Sequence, residues 1–217
     1  MARTKKSPYA MSRRLRAGIA ALCVAAAVLL VRLDHSSRGQ RQPQGRSQEQ
    51  ARASDIARYH GKTFTVVNVV DGDTIDIDVP DGEYEHTRIR LWGVDTPETK
   101  NPKVGVMYFG PEAAEFTKKV ALGQKVRVYL DEGNRTRCYY GRVLGYVQLA
   151  DKRFLNEVLL ADGFAYADVR FRHSLYNKYK QLESAARGQK KGLWAEVRRE
   201  QLPEWLQREK PALLLEK

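Results

Sequence analysis

Five short runs of β-branched and aromatic residues, each ended by turn-forming residues, constrain the fold of this chain more than any other feature of its sequence. The runs predict strands at residues 63–70, 74–79, 87–94, 125–130 and 142–149. Asp-Gly and Pro-Asp-Gly sequences join the first three runs, which favours a meander of antiparallel strands. A helical segment separates the third strand from the fourth, and this element order is typical of an OB-type barrel.

Three helices are predicted around these strands. The first begins at Gly110, has Pro111 in its first turn and is ended by Gly123. Two more helices are predicted at residues 154–161 and 174–186, where apolar residues recur at helical spacing. The sequence therefore predicts an α+β fold, a five-stranded OB-fold barrel with three helices.

Length and composition narrow the class of protein. The chain has 217 residues, which suits one domain with an appendage and excludes two large domains. Its 42% hydrophobic and 29% charged residues exclude a disordered tail, a collagen-like repeat and a multi-span membrane protein. The cysteines are Cys23 and Cys138 alone, which excludes a disulfide framework and a zinc site built on cysteines. A metal ion in this protein would therefore bind oxygen.

Residues 1–33 combine a basic flank with an uncharged apolar run at residues 17–31. This order is typical of an export signal, and the run is intermediate in length between a signal core and a spanning helix. We expect an uncleaved membrane anchor, since no clear cleavage site follows the run. The basic flank predicts that the rest of the chain is translocated, to the periplasmic or extracellular side. A cleaved signal with a secreted product and a mitochondrial presequence are the alternatives.

The segments flanking the predicted barrel differ from it in composition. Residues 34–60 are rich in Gln, Ser and Arg, so a flexible linker is predicted there, whereas residues 61–200 form the predicted folded domain and residues 201–217 a C-terminal tail. Of the net charge of +12, residues 1–60 hold 12 Lys or Arg against 3 Asp or Glu, and residues 61–217 hold 26 against 23. Nucleic-acid binding by overall charge alone is therefore disfavoured for the domain.

Two acidic turns follow predicted strands. Asp71 and Asp73 flank Gly72 after the first strand, and Asp95 stands after the third. If the two turns pack together, three carboxylates converge on a hard-oxygen site that suits calcium. Arg90 would neutralise part of this charge, because carboxylates crowded in a tight turn repel one another. Taken alone, the first turn is also compatible with an ordinary solvated hairpin.

A third cluster, Tyr139-Tyr140-Gly141-Arg142, opens the fifth predicted strand. Arg142 offers a planar fork for a phosphate, and Tyr140 offers a hydroxyl beside it. Packing of an aromatic ring against an arginine on the surface is the alternative interpretation.

The blocks VVDGDT, RIRLWGVDTPET, YYGR and KKGLW, together with residues 94–119, resemble the staphylococcal nuclease (thermonuclease) family in sequence and in order. The similarity extends over residues 61–194, most of the predicted folded part. The resemblance implies an OB-fold barrel with three helices. It also implies a calcium-dependent phosphodiesterase that cuts DNA and RNA to products ending in 3′-phosphate.

The resemblance further implies a role for individual residues of the site. The matching positions are Asp73, Asp95 and the backbone carbonyl of Thr96 for calcium, with Asp71 in support, Arg90, Glu98 and Arg142 for catalysis, and Tyr140 for substrate binding. The glutamate positions or deprotonates the attacking water, the two arginines surround the scissile phosphate, and the tyrosine hydrogen-bonds a substrate phosphate. These roles agree with the chemistry that phosphodiester hydrolysis requires.

The chain also departs from the family pattern around the predicted substrate subsites. Cys138 stands where an acidic residue is usual, and Tyr139 stands where a lysine is frequent. Val169 and Phe171 align with the tyrosines that stack on the substrate base. The subsites therefore differ from the pattern while the catalytic set is intact.

Two functions of different classes are compatible with these observations. The first is an exported, membrane-tethered nuclease with single-stranded or frayed DNA, or RNA, as its partner, and we expect it to be a monomer. The second is a catalytically silent OB-fold module that binds nucleic acid or protein. A silent module has no need to retain Arg90, Glu98 and Arg142 together, which favours the enzyme.

Overall fold

The computed structural model describes residues 44–211. The predicted basic flank and membrane segment at residues 1–33 and the first part of the predicted linker lie outside the described residues. Across residues 44–211, no helix is long and apolar enough to cross a membrane. The barrel, the later helices and the site all belong to the compact unit that begins at Arg52.

The strands of the described part confirm the predicted barrel. In chain order they are β1 (Lys62–Asp71), β2 (Thr74–Ile77), β3 (Thr87–Leu91), β4 (Val94–Asp95), β5 (Lys125–Tyr129), β6 (Val143–Gln148) and β7 (Tyr166–Ala167). The barrel closes in the order β1-β2-β3-β6-β5, with β3 and β6 parallel and the other neighbours antiparallel. Alternation along β3 buries Ile89 and Leu91 in the core and turns Arg88 and Arg90 to the other face.

The helices of residues 44–211 are α1 (Gln44–Tyr59), α2 (Gly110–Ala121), α3 (Leu155–Ala161), α4 (Tyr176–Gly188) and α5 (Glu204–Glu209). Helices α2, α3 and α4 are the three predicted from the sequence, and their ends lie close to the predicted ones. Pro111 lies in the first turn of α2, where its missing N–H has no helical partner to lose.

Helix α1 occupies residues that the sequence analysis assigned to a flexible linker. Asp55 of this helix is buried and accepts hydrogen bonds from Thr136 at 2.7 Å and from Arg137 at 2.7 to 3.1 Å. Tyr59 is fully buried, and its hydroxyl lies 3.2 Å from the Thr87 hydroxyl. These tertiary contacts supply the stabilisation that the polar composition of the helix does not provide by itself.

Helix α5 differs in the same way from the predicted C-terminal tail. Trp205 and Leu206 are buried in a second apolar cluster that also contains Tyr166 and Trp194. The two-stranded β4–β7 ladder pairs Asp95 with Tyr166. Because Tyr166 belongs to the second apolar cluster, this pairing joins the cluster to the acidic turn that contains Asp95. The C-terminal helix therefore lies beside the residues that the sequence analysis selected as a site.

Candidate active site

Asp73 lies in the tight turn between β1 and β2, against the residue that follows β4. Its Oδ2 accepts hydrogen bonds from the backbone N–H of Thr96 at 2.8 Å and from the Thr96 hydroxyl at 3.1 Å. A Cβ atom added at Gly72 would come within 2.8 Å of the Thr96 side chain, so the close approach of this turn requires glycine. The Thr117 hydroxyl of α2 also holds the turn, by donating to the Gly72 carbonyl at 2.7 Å.

Arg90 lies between the two acidic turns. The pairing of β2 with β3 sets Arg90 opposite Thr74, directly beside the first turn. Its guanidinium is 2.9 Å from Asp73 Oδ2 and 2.6 Å from Asp95 Oδ1, and it donates to the Val94 carbonyl at 2.6 Å. Because the side chain is only 13% exposed, these charge-assisted bonds are little screened by water.

Burial makes two carboxylates of these turns, Asp71 and Asp95, harder to ionise than an exposed aspartate. Burial first, and then the neighbouring Asp73 carboxylate, raises the pKa of Asp71 to about 7. Burial also raises the pKa of Asp95 to about 6, although the Arg90 charge opposes this change. A divalent cation would relieve both effects, and carboxylate and carbonyl oxygens are the donors that calcium prefers.

The three aspartates do not form a finished ligand group. In the described part of the chain, no three His, Cys, Asp or Glu side chains are grouped as a metal site. Arg90 is inserted between Asp73 and Asp95 and contacts both, so the expected convergence on one point is not found. The donor types fit calcium, and the arrangement is one in which arginine holds two of the carboxylates.

Glu98 lies in the loop that follows β4. Its Oε1 accepts hydrogen bonds from three successive backbone N–H groups, those of Thr99 at 2.9 Å, Lys100 at 2.8 Å and Asn101 at 3.1 Å. These bonds fix the carboxylate and occupy one of its two oxygens. The other oxygen, Oε2, makes no hydrogen bond recorded within residues 44–211 and is available to a water molecule.

Arg142 and the exposed Tyr140 form a rim of the site. The Arg142 guanidinium lies 5.6 Å from the centre of the Tyr140 ring and donates through Nε to Cys138 Sγ at 3.4 Å. Tyr140 is 79% exposed. Within residues 44–211 the Arg142 guanidinium contacts no carboxylate, so its charge is available to an anion.

One cleft of about 470 Å³ collects the residues that the sequence analysis selected. It is lined by Asp71, Asp73, Arg90, Asp95, Thr96, Glu98, Tyr140 and Arg142. Strand pairing, the turn at Gly72 and the loop before β6 bring together residues that are up to 71 positions apart in sequence. The structure thus unites arginines, carboxylates and a tyrosine hydroxyl around a single space.

Comparison with known proteins identifies the family of this chain. The profile described as staphylococcal nuclease homologue matches residues 88–196, half of the chain. The thermonuclease of Staphylococcus hyicus is 37% identical over 145 residues, which cover 66% of this chain and 82% of that protein. The chain belongs to the staphylococcal nuclease family. It is accordingly a nuclease, a hydrolase of phosphodiester bonds.

Two further relatives are similar over a shorter share of their length. The thermonuclease of Staphylococcus intermedius is 46% identical over 107 residues, covering 49% of this chain and 60% of that protein. The SPbeta prophage-derived endonuclease YokF of Bacillus subtilis (strain 168) is 35% identical over 133 residues, covering 60% of this chain and 43% of that protein. The chain therefore spans less than two thirds of these two relatives.

Trp92 and Phe171 form an aromatic wall in the cleft of the nuclease. Only one of the two positions that align with the family's tyrosines belongs to this wall. Phe171 is partly exposed and stacks on Trp92 with ring centres 6.3 Å apart, and Arg135 lies 4.9 Å from the Phe171 ring centre. Val169 does not share this wall, since it packs against the second apolar cluster. Of the two aligned positions, only Phe171 lines the cleft.

Three residues of the nuclease site were not found from the sequence. Asp168 and Arg170 follow β7 and line the cleft beside Asp95, and Trp205 of α5 donates its indole N–H to Asp95 Oδ2 at 2.8 Å. The apolar pair Trp205-Leu206 just after Pro203 was a sequence signal for a packed helix within the supposed tail. Nothing in the sequence connected that helix to Asp95.

Proposed function

We propose that this nuclease depends on calcium and cleaves DNA and RNA to products that end in 3′-phosphate. The observation that supports this proposal is that Arg90, Arg142 and Glu98 line one cleft together with the two acidic turns. Asp73, Asp95 and the carbonyl of Thr96 would hold the ion, with Asp71 in support. Calcium would supply polarisation of a phosphoryl oxygen and neutralisation of its charge.

The side chains of the cleft can stabilise the transition state, activate the attacking water and bind the substrate. Arg90 is fixed by its ion pairs and presents a rigid guanidinium, while Arg142 approaches the phosphate from the rim with an unneutralised charge. Together they stabilise the negative charge that grows on the phosphate as it becomes five-coordinate. The free Oε2 of Glu98 orients the attacking water and takes its proton. The exposed Tyr140 hydroxyl donates to a neighbouring phosphate of the substrate.

Digestion of single-stranded DNA by the full chain, with calcium and with excess chelator, tests this proposal. We expect the chelator to abolish cleavage and calcium to restore it, and end-group analysis to find 3′-phosphates. Full activity in excess chelator would refute the calcium dependence. DNA binding without cleavage under every condition would instead support the silent OB-fold module.

We further propose that the nuclease is exported and held at a membrane by residues 1–33, with its domain on the trans side. The basic flank and the apolar run at residues 17–31 support this location. Carbonate extraction and protease shaving of intact cells should recover a membrane-bound, protease-accessible domain. A soluble product that begins after the apolar run would show that the segment is a cleaved signal.

A further inference from the structure

Trp205 connects the C-terminal helix α5 to a carboxylate of the site. Its indole Nε1 donates to Asp95 Oδ2 at 2.8 Å, across 110 positions of the sequence. Trp205 is 8% exposed, so water does not readily replace this bond. A shielded donor of this kind restrains the orientation of the carboxylate that accepts from it.

Arg170 places a positive charge beside the same oxygen. Its guanidinium lies 3.3 Å from Asp95 Oδ2 and is itself held by Asp168 through two bonds of 2.8 and 2.9 Å. It also lies over the Trp205 ring, 4.2 Å from the ring centre, a distance at which a cation and an aromatic face attract each other. Asp168, Arg170 and Trp205 therefore form one contiguous group behind Asp95.

This group is attached to the elements that carry Asp95. Trp205 packs in the same apolar cluster as Tyr166, and Tyr166 is the partner of Asp95 in the β4–β7 ladder. Beyond α5, Lys210 pairs with the buried Glu183 of α4. The position of the indole N–H is consequently tied to the position of the carboxylate.

We propose that Trp205 and Arg170 are positioning residues that hold the Asp95 carboxylate in the orientation in which it binds calcium. The proposal rests on the proposed calcium dependence of the nuclease. Arg90 contacts Oδ1 while Trp205 and Arg170 contact Oδ2, so a rotation of the carboxylate would break contacts on both oxygens. Loss of such an outer donor typically lowers metal affinity by about 10- to 100-fold.

Calorimetric titration of calcium into the full chain, without nucleic acid, tests this role. Trp205→Phe keeps an aromatic ring but removes the N–H, and we expect the calcium dissociation constant to rise by about tenfold. Trp194→Phe is the matched control. Trp194 lies in the same cluster, and its Nε1 has no hydrogen-bond partner within residues 44–211. We expect its calcium affinity to be unchanged.

Urea unfolding of each variant without calcium separates positioning from stability. We expect Trp205→Phe to lose more stability than Trp194→Phe, because it alone loses a hydrogen bond, and both variants to be folded under the conditions of the calcium titration. Arg170→Lys keeps the positive charge beside Asp95 but loses the planar guanidinium that lies over the indole ring, and it should weaken calcium binding by a smaller factor. It also decides the question if Trp205→Phe does not fold, since unchanged calcium affinity of Arg170→Lys would then overturn the proposal.

The remaining outcomes distinguish this inference from the proposed function. Equal calcium affinity in Trp205→Phe and Trp194→Phe, or tighter binding by Trp205→Phe, would overturn the positioning role and leave calcium dependence standing. Absence of calcium binding by the unaltered chain would overturn the calcium dependence and the inference together.

Discussion

Arg90 and Arg142 line the same cleft but are held in opposite ways. Arg90, on the cleft floor, is 13% exposed and bonded to Asp73 and Asp95, whereas Arg142, on the rim, contacts a tyrosine ring and a cysteine. The floor is therefore organised before substrate arrives, and the rim keeps a charge free for the substrate phosphate. Substitutions on the floor should affect folding and rate together, and substitutions on the rim should affect the rate alone.

Arg90→Lys should give the largest effect. Lysine keeps the charge but cannot bridge two carboxylates and a carbonyl, so we expect kcat to fall by about 10³-fold and the thermal midpoint to fall as well. Arg88→Lys is the control, because Arg88 lies on the same strand with an Asp76 pair at 2.7 Å and is half exposed. Retention of nearly full kcat by Arg90→Lys would refute its catalytic assignment.

Arg142→Lys tests whether a substitution at the rim changes the rate without changing stability. We expect kcat to fall by about 10²-fold, because one preorganised donor to the transition state is lost, while the unfolding midpoint stays that of the unaltered protein. Steady-state kinetics and circular dichroism measure the two quantities. A large loss of stability would show that Arg142 belongs structurally to the floor.

Glu98→Gln separates the loop contacts of Glu98 from its chemistry. The amide oxygen can still accept from the three backbone N–H groups that Oε1 binds, so the fold of the loop should be kept. Loss of the carboxylate should lower kcat by about 10²-fold in steady-state kinetics, because the amide cannot take the proton of the attacking water. Retention of nearly full kcat by Glu98→Gln would show that another group takes the proton.

The smallest expected effect is on the free energy of unfolding at acidic pH, and it comes from the buried His173. His173 packs against Gly93, Trp92 and Tyr179, and its Nδ1 lies 3.1 Å from the Tyr146 hydroxyl. Burial lowers the pKa of His173, although Asp131 and Asp168 oppose this. The unfolded chain then binds more protons than the folded one below about pH 6.5, so this contribution to stability is present above that pH and declines as the pH falls.

His173→Gln should therefore lose less stability than the unaltered protein between about pH 7.5 and 5.5, a window that spans the ordinary histidine pKa. The raised pKa of Asp71 acts in the opposite direction in both proteins, so the difference between them isolates His173. Urea unfolding at the two pH values measures it. Identical losses in the two proteins would show that His173 does not titrate in this range.

Local patterns allowed most of the barrel and the site to be predicted. Runs of β-branched residues between turn sequences marked the barrel strands, and glycine and proline marked the ends of α2. The acidic turns and Arg90 were selected because crowded carboxylates repel one another unless a cation neutralises them. Arg142 was selected because it offers a planar fork for a phosphate beside Tyr140. Helix α1 was missed because its attachment depends on Asp55, whose Arg137 partner is 82 positions away.

The sequence by itself determined the positions of the five barrel strands along the chain, the three central helices and the residue types of the cleft, because these follow from periodicity, turn chemistry and charge over a few neighbouring residues. Only the tertiary structure decided that Arg90 separates Asp73 from Asp95 and that Trp205 and Arg170 share one oxygen of Asp95. Those contacts depend on which distant segments pack together. Packing of this kind is set by the summed burial of the whole core, which no local pattern encodes.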